Sequence, residues 1–182
     1  MKRMIVFAVS ALMALAMMAS GIGICEQTAS EPAAPAMGMP NPWTEVETAD
    51  EAAQGAGVGY FLAPEEGAQT PGGQVNWYAF RCMQGIAQAN GYIAAAELTV
   101  RKGLKQDGED VSGDYTEYAF EWTQIADGWQ VNCYGNEEGA AMKVVWVSDN
   151  FSYSIIVRGQ GDLYDVYGLD GEAVEALVKA IQ

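Results

Sequence analysis

The spacing of five oxygen-bearing side chains between positions 110 and 121 resembles that of a calcium-binding loop. They stand at offsets one, three, five, seven and twelve, and are Asp110, Ser112, Asp114, Thr116 and Glu121. Position six is Tyr115, where such a loop needs Gly for its sharp turn, and the segment leads into a predicted strand rather than a helix. A solvated loop that leads into a strand is therefore the simpler interpretation. We expect no metal site and no cofactor.

Histidine, the usual base of nucleophilic catalysis, is missing from the chain. A Ser or Cys nucleophile therefore lacks its common partner. A Ser–Lys arrangement would need one of the lysines beyond the N-terminal segment, and no motif supports it; these are Lys102, Lys105, Lys143 and Lys179. Paired carboxylates could hydrolyse glycosides, but with 24 acidic residues some pair will lie at a suitable distance in any fold. We expect no enzymatic activity, and a secreted carboxylate-dependent hydrolase is the alternative.

Two cysteines, Cys82 and Cys133, lie in or beside predicted strands. A disulfide between them would close a loop of about fifty residues and would stabilise the fold by roughly 4 kcal/mol in the chain-entropy model. The alternative is two separate buried thiols that pack as small hydrophobic side chains. Two cysteines without His do not supply the four ligands that a structural zinc site uses.

Aromatic side chains on predicted strands could line a groove for sugars or peptides. Such residues on strands also commonly form the core. The ligand-binding residues therefore stay unassigned at this stage. The aromatic candidates are Trp77, Tyr78, Trp122, Trp129, Tyr134, Trp146 and Tyr153.

The N-terminal segment has the layout of a secretory signal. Lys2 and Arg3 precede an apolar run from Met4 to Met18, and small residues follow at positions 19–21. Residues 1–24 are therefore predicted to be a signal peptide or a membrane anchor. Residues 25–40, rich in Ala, Pro, Ser, Gly and Met, are predicted to be a disordered linker that precedes a domain over 41–182.

Three fates of this segment place the rest of the chain outside the cytoplasm. Cleavage near positions 19–21 would release the protein, lipid attachment at Cys25 would anchor it, and an uncleaved segment from Met4 to Ile24 is long enough to span a bilayer. Ile24 departs from the small residue that usually precedes a lipidated Cys. The mass of the mature chain distinguishes these fates: a chain that begins well after Cys25 would exclude lipid attachment.

The charge balance restricts the partners of the chain. Its formal net charge is −15, and removal of the N-terminal segment leaves 24 acidic against 7 basic residues, or about −17. Such a surface repels nucleic-acid phosphates and anionic lipid headgroups. We therefore expect no nucleic-acid partner and a membrane contact only through the N-terminal segment. An unknown envelope protein or a small ligand remains as the partner.

The predicted fold class is α+β, with an antiparallel sheet of about seven to eight strands in a meander and a helix near each end. Thr48 to about Gln54 is predicted to be a short helix, with Thr48 as N-cap and Glu51 completing a capping box. Asp170 to Ile181 is predicted to be a C-terminal helix whose apolar face packs on the sheet. The earlier predicted strands are Gly59–Ala63, Val75–Arg81, Gly85–Asn90 and Ala96–Arg101.

The segment from Tyr115 to Val157 carries the clearest strand signals. Apolar and polar side chains alternate through Trp122 and again from Trp129, and Asp127-Gly128 between them favours a tight hairpin turn. Two further strands, Met142–Val147 and Phe151–Val157, would form a hairpin around Ser148-Asp149-Asn150. The nearly continuous apolar character of Met142–Val147 predicts a central strand covered on both faces.

Short segments resemble an uncharacterised secreted or lipoprotein-type domain family of Gram-positive bacteria, which also occurs in anti-sigma-factor-like membrane proteins. The segments that carry the resemblance are Asn41-Pro42-Trp43-Thr44-Glu45-Val46, Val111-Ser112-Gly113-Asp114-Tyr115, Trp146, Ser152-Tyr153-Ser154-Ile155 and Glu175-Ala176-Leu177-Val178-Lys179-Ala180-Ile181. The resemblance implies an extracytoplasmic location and no known catalytic residue. We accordingly expect a non-enzymatic binding or sensing module of the cell envelope.

Overall fold

Short strands with alternating side chains form one large antiparallel sheet in the computed structural model of the chain, which describes residues 41–105, 110–148 and 150–182. The elements, in chain order, are β1 (Thr44–Val46), α1 (Ala49–Ala56), β2 (Gln69–Thr70), β3 (Gly73–Met83), β4 (Ile86–Ile93), β5 (Ala96–Leu104), β6 (Phe120–Ala126), β7 (Trp129–Gly135), β8 (Lys143–Val147), β9 (Phe151–Gly159), a 3-10 turn (Gly161–Leu163) and α2 (Gly171–Ala180). The predicted α+β class, with an antiparallel meander and two helices, is confirmed.

Two meanders make up the sheet, whose strand order is β1-β3-β4-β5-β9-β8-β7-β6, with β2 paired to β3 outside this path. The first meander contains β3, β4 and β5, and the second contains β6 to β9. They join where β5 pairs with β9 in a register that runs from Ala96 opposite Gly159 to Leu104 opposite Phe151. This pairing makes β5 and β9 central strands.

One face of the sheet, which we call the core face, is covered by both helices. Leu98 and Val100 of β5 are fully buried on it, as are Ile155 and Val157 of β9. α1 covers the first meander, and the buried side chains of α2 lie over the other end of this face. The buried residues of α2 are Ala173, Val174, Leu177 and Val178.

The opposite face, which we call the polar face, carries hydrogen-bonding side chains instead. Gln88 Nε2 donates to Asn90 Oδ1 at 2.6 Å, and Arg101 Nε donates to Gln88 Oε1 at 2.7 Å. Arg101 also donates to the backbone carbonyls of Val111 and Ser112, which holds the segment after the first meander against this face. Gln88, Asn90 and Arg101 are therefore hydrogen-bond partners for one another on this face.

The helix ends follow the predicted capping chemistry. Thr48 Oγ1 accepts a hydrogen bond from the backbone N–H of Glu51. The Glu51 carboxylate accepts one from the backbone N–H of Glu47 rather than from that of Thr48. Asp170 Oδ1 likewise accepts from the N–H of Ala173 at 2.8 Å. Both predicted N-caps are confirmed.

α1 continues through Gly55 to Ala56, two residues beyond its predicted end at about Gln54. A Cβ at Gly55 would overlap Sγ of Cys82 on β3, so the close approach of helix and strand requires glycine there. Gly57 ends the helix instead, with φ of 74° in the left-handed region that glycine adopts without strain.

The predicted strands from position 75 onward are confirmed, and β3, β4 and β5 extend beyond their predicted ends. Asp127 and Gly128 have φ of 47° and 83°, as the predicted tight turn requires. β8 is buried on both faces, as predicted. The predicted strand Gly59–Ala63 is wrong. This segment is irregular because Phe61 packs into the core while Leu62 exchanges backbone hydrogen bonds with Gln182 instead of a strand.

Several predictions fall outside the described residues. These are the signal or anchor over 1–24, the lipidation site Cys25, the linker up to position 40, and Asp149 of the β8–β9 turn. Among the described residues, no helix is both long and apolar enough to cross a membrane.

Candidate ligand-binding site

An aromatic pocket of about 450 Å³ opens at one end of the core face. This volume lies within the usual range for small-molecule sites. Strands β7, β8 and β9, the irregular segment after α1 and the C-terminal part of α2 each supply part of its wall. The lining residues are Tyr60, Asp127, Trp129, Trp146, Ser148, Asn150, Phe151, Tyr153, Val178, Ile181 and Gln182.

Trp146 and Tyr153 form the rigid part of the pocket. They are directly opposite each other in the β8–β9 register, and their rings stack with centroids 5.0 Å apart and planes within 6°. Both side chains are almost completely buried, at 3% and 5% exposure. The strand pairing therefore fixes this aromatic wall before any ligand arrives.

Lys102 lies behind the aromatic wall, opposite Tyr153 in the β5–β9 register. It is fully buried, and its ammonium donates to the backbone carbonyl of Tyr60 at 2.7 Å. Nζ also lies 3.7 Å from the centroid of the Tyr60 ring and 4.2 Å from that of Phe151. Burial lowers the pKa of Lys102 to about 8, since a desolvated ammonium loses its hydration.

Two aromatic rings at the rim remain accessible. Tyr60 is 51% exposed and Trp129 is 40% exposed. Polar groups stand beside them, and Asp127 is the one acidic residue among the lining residues that the structure describes. The pocket thus offers flat apolar surfaces next to hydrogen-bonding groups.

Three of the seven aromatic candidates from the sequence meet at the pocket, and the other four lie elsewhere. Those at the pocket are Trp129, Trp146 and Tyr153. Trp77 and Trp122 pack against the core, Tyr78 contacts Tyr92 at the surface with tilted rings, and Tyr134 lies under the ammonium of Lys143.

Sequence reasoning missed Tyr60, Phe151 and Lys102 as parts of this site. A signal for Lys102 was present, because it alternates in phase with Leu98 and Val100 and so belongs to the buried face of its strand. Tyr60 carried no such signal, because its segment is irregular.

Cys82 and Cys133 are free, buried thiols in the structure. They lie on β3 and β7, and four other strands separate these two in the sheet order. The disulfide considered from the sequence is therefore not formed, and the alternative of two buried thiols describes them. Burial raises the pKa of Cys133 to about 12, which leaves its thiol protonated and unreactive.

The acidic side chains of the calcium-like spacing bind basic side chains of the same protein. Asp110 pairs with Lys143 at 3.1 Å, and Asp114 pairs with Arg158 at 2.5 Å. Within the described ranges, no group of three His, Cys, Asp or Glu side chains could hold a metal ion. These ion pairs of Asp110 and Asp114 instead hold the segment against the polar face.

Asp114 is the most strongly perturbed carboxylate of this segment. Burial by itself would raise its pKa, but the hydrogen bonds that it accepts, first from Thr116 and Tyr118, outweigh burial and lower the pKa of Asp114 to about 2. A group held in this way is permanently ionised. It therefore suits a structural role and not that of a catalytic acid.

Comparisons with known proteins add no assignment: no protein-family model, no curated protein and no solved structure matches the chain. The resemblance noted in the sequence stays a prediction.

The Asp114→Asn substitution is expected to lower the free energy of unfolding at pH 7 by about 2 kcal/mol. The folded pKa of Asp114 is below its unfolded value, so its contribution is complete above pH 4 and is lost as pH falls through about 2. Urea unfolding at pH 7 and pH 3 measures the difference. Glu117→Gln, at an exposed acid of the same segment, is the control and should change stability by less than about 0.5 kcal/mol.

The Lys102→Met substitution is expected to raise the free energy of unfolding at pH 7. Folding lowers the pKa of Lys102 from 10.5 to about 8, which costs about 3 kcal/mol at pH 7. The substitution also removes the hydrogen bond to Tyr60, which lowers the free energy of unfolding by about 1 kcal/mol. The net increase in the free energy of unfolding should therefore be about 2 kcal/mol.

The advantage of Lys102→Met should shrink between pH 7 and pH 9.5, because the folded wild-type protein then carries a neutral Lys102. Chemical denaturation at both pH values measures this. Lys105→Met, at an exposed lysine, should change little at either pH. A Lys102→Met variant that is less stable at pH 7 would show that the buried ammonium stabilises the fold.

Proposed function

We propose that this protein is a non-enzymatic binding module of the bacterial cell envelope and that the aromatic pocket holds its ligand. The observation that carries the proposal is the stacked wall of Trp146 and Tyr153, which is buried and preformed. A preformed wall lowers the entropic cost of binding. Exposed rings at the rim supply the contact area.

The chemistry of the pocket favours a ligand with one flat apolar face and hydrogen-bonding edges, as a saccharide unit has. Tyr60 and Trp129 offer faces on which such a ring can stack. Asp127, Ser148 and Asn150 stand within the same lining and can bind hydroxyl groups. Saccharides are also abundant at the proposed location.

The alternative, a carboxylate-dependent hydrolase, receives less support from the same geometry. Glycoside hydrolysis uses two carboxyl groups that flank the bond, one of them with a raised pKa. Among the described residues of the pocket lining, Asp127 is the only acid. Asp114, the buried acid, has a lowered pKa and is paired with Arg158. A binding role therefore fits better than catalysis.

The proposed location rests on the N-terminal segment and on charge. The basic start, apolar run and small residues of positions 1–24 are typical of secretory signals. The acidic balance of the remaining chain suits a soluble surface outside the cytoplasm. The mass of the mature chain will show whether the protein is released or anchored.

Titration of the protein with soluble cell-wall saccharides, followed by tryptophan fluorescence, tests the pocket. Trp129→Ala is expected to weaken binding about tenfold or more, because one stacking face is lost. Tyr164→Ala is the matched control, since Tyr164 is 54% exposed and does not line the pocket. It should bind as the wild-type protein does.

Two results would contradict the proposal. Equal affinity of wild type and Trp129→Ala would place the ligand elsewhere. Release of new reducing ends from the saccharide, abolished by Asp127→Asn, would establish hydrolysis instead of binding.

A further inference from the structure

A second set of side chains, on the polar face, has hydrogen-bonding capacity that the described residues do not use. In the part of the chain that the structure describes, three buried side-chain atoms have no hydrogen-bond partner: Arg81 Nε, Ser152 Oγ and Ser154 Oγ. All three belong to the polar face. Ser154 is opposite Arg101, and Arg81 and Arg101 flank Gln88. Buried polar atoms normally have a hydrogen-bond partner. Three buried atoms without one, on the same face as Arg101, therefore indicate a polar guest.

Two positive charges meet on one aromatic ring at this place. The guanidinium carbons of Arg81 and Arg101 lie 4.7 and 5.3 Å from the centroid of the Trp43 ring. Burial, followed by the charge of Arg81, lowers the pKa of Arg101. The two like charges therefore oppose each other in a partly desolvated position.

Among the described residues, the neighbouring acids offset the charge of this pair of arginines only in part: Asp110 favours the charged form of Arg101 but forms no ion pair with it. Asp110 lines the same cleft as Arg101, but its carboxylate pairs with Lys143 and accepts from the N–H of Ser112. Glu45 is opposite Arg81 in the β1–β3 register and is exposed to solvent. The ion pairs found within 41–105, 110–148 and 150–182 are those of Lys143 and Arg158, and neither involves Arg81 or Arg101.

Space for a guest lies directly beside Arg101. A cleft of about 380 Å³ is lined by Trp43, Arg101 and Tyr115 among others. Toward the described residues, Arg101 donates through Nε to Gln88 and through Nη1 to the carbonyls of Val111 and Ser112, so its Nη2 group is available to a ligand. Guanidinium groups bind carboxylate, phosphate and sulfate oxygens in a bidentate manner.

We propose that Trp43, Arg81 and Arg101 form an oxyanion-binding site, separate from the aromatic pocket, that takes the phosphate or carboxylate group of a small ligand or of an envelope polymer. An anion in the cleft beside Arg101 offsets the repulsion between the two guanidiniums and accepts hydrogen bonds from the Nη2 group of Arg101. In a chain of net charge −15, long-range attraction does not draw anions to the surface. Recognition therefore depends on these local contacts.

Calorimetric titration of the full protein at constant ionic strength tests this site. Three probes are used separately: inorganic phosphate, citrate, and a glycerol phosphodiester. Binding of phosphate or citrate would point to a free anion, and stronger binding of the diester would point to a polymer such as a phosphodiester-linked chain. Saturable binding of at least one probe is expected.

The Arg81→Gln variant should weaken that binding at least tenfold, because one of the two guanidinium charges that attract the anion is lost. Lys179→Gln removes the same charge from an exposed position on α2 and is the matched control. Its affinity should equal that of the wild type. An equal loss in both variants, or no saturable binding of any probe, would overturn the proposal.

A second measurement makes the test independent of how the variants fold. In the wild-type protein, the Nε–Hε resonances of Arg81 and Arg101 should shift together during the titration, while that of Arg158 should stay in place because its guanidinium is paired with Asp114. Uniform shifts of all arginine signals would indicate a general ionic effect and would count against a site.

Discussion

The pairing of β5 with β9 is the constraint on which both candidate sites depend. It joins two meanders that are separate along the chain, and its register aligns Lys102 with Tyr153 and Arg101 with Ser154. Because successive side chains of a strand point to opposite faces, the adjacent basic residues Arg101 and Lys102 enter different surroundings. One lies on Trp43 at the polar face, and the other lies behind the aromatic pocket. A shift of one residue in this register would exchange them and bury the wrong charges.

The acidic chain keeps the basic residues of its strands in contact with aromatic rings. Each of the five lies within cation–π distance of at least one ring: Arg81 and Arg101 on Trp43, Lys102 on Tyr60, Lys143 on Tyr134, and Arg158 on Tyr118. Only two of them have carboxylate partners among the described residues. The attraction of a ring for a cation is stronger where water is excluded, and this favours half-buried strand positions. The excess acidic side chains therefore lie at the surface, while the basic side chains of the strands pack against aromatic rings.

The two faces of the sheet are covered in different ways. Helices cover much of the core face, and at the aromatic pocket the ends of β7, β8 and β9 leave rings accessible. The polar face is closed by the segment that Asp110 and Asp114 fasten to Lys143 and Arg158. What resembled a calcium loop in sequence is thus a clamp, whose carboxylates already have cations from the protein itself. This clamp also borders the cleft at Arg101.

The sequence by itself determined the features that depend on neighbours along the chain. Alternation defined most strands, Asp127-Gly128 defined a turn, and Thr48 and Asp170 defined two helix starts, because each of these signals acts over a few residues. Only the tertiary structure decided which strands meet, since closing a connection of some fifty residues leaves no local trace in sequence. That decision separated Cys82 from Cys133, made residues 59–63 irregular, and gathered Trp129, Trp146 and Tyr153 with Tyr60. Both candidate sites consist of residues from distant segments, so strand pairing, and not any motif, created them.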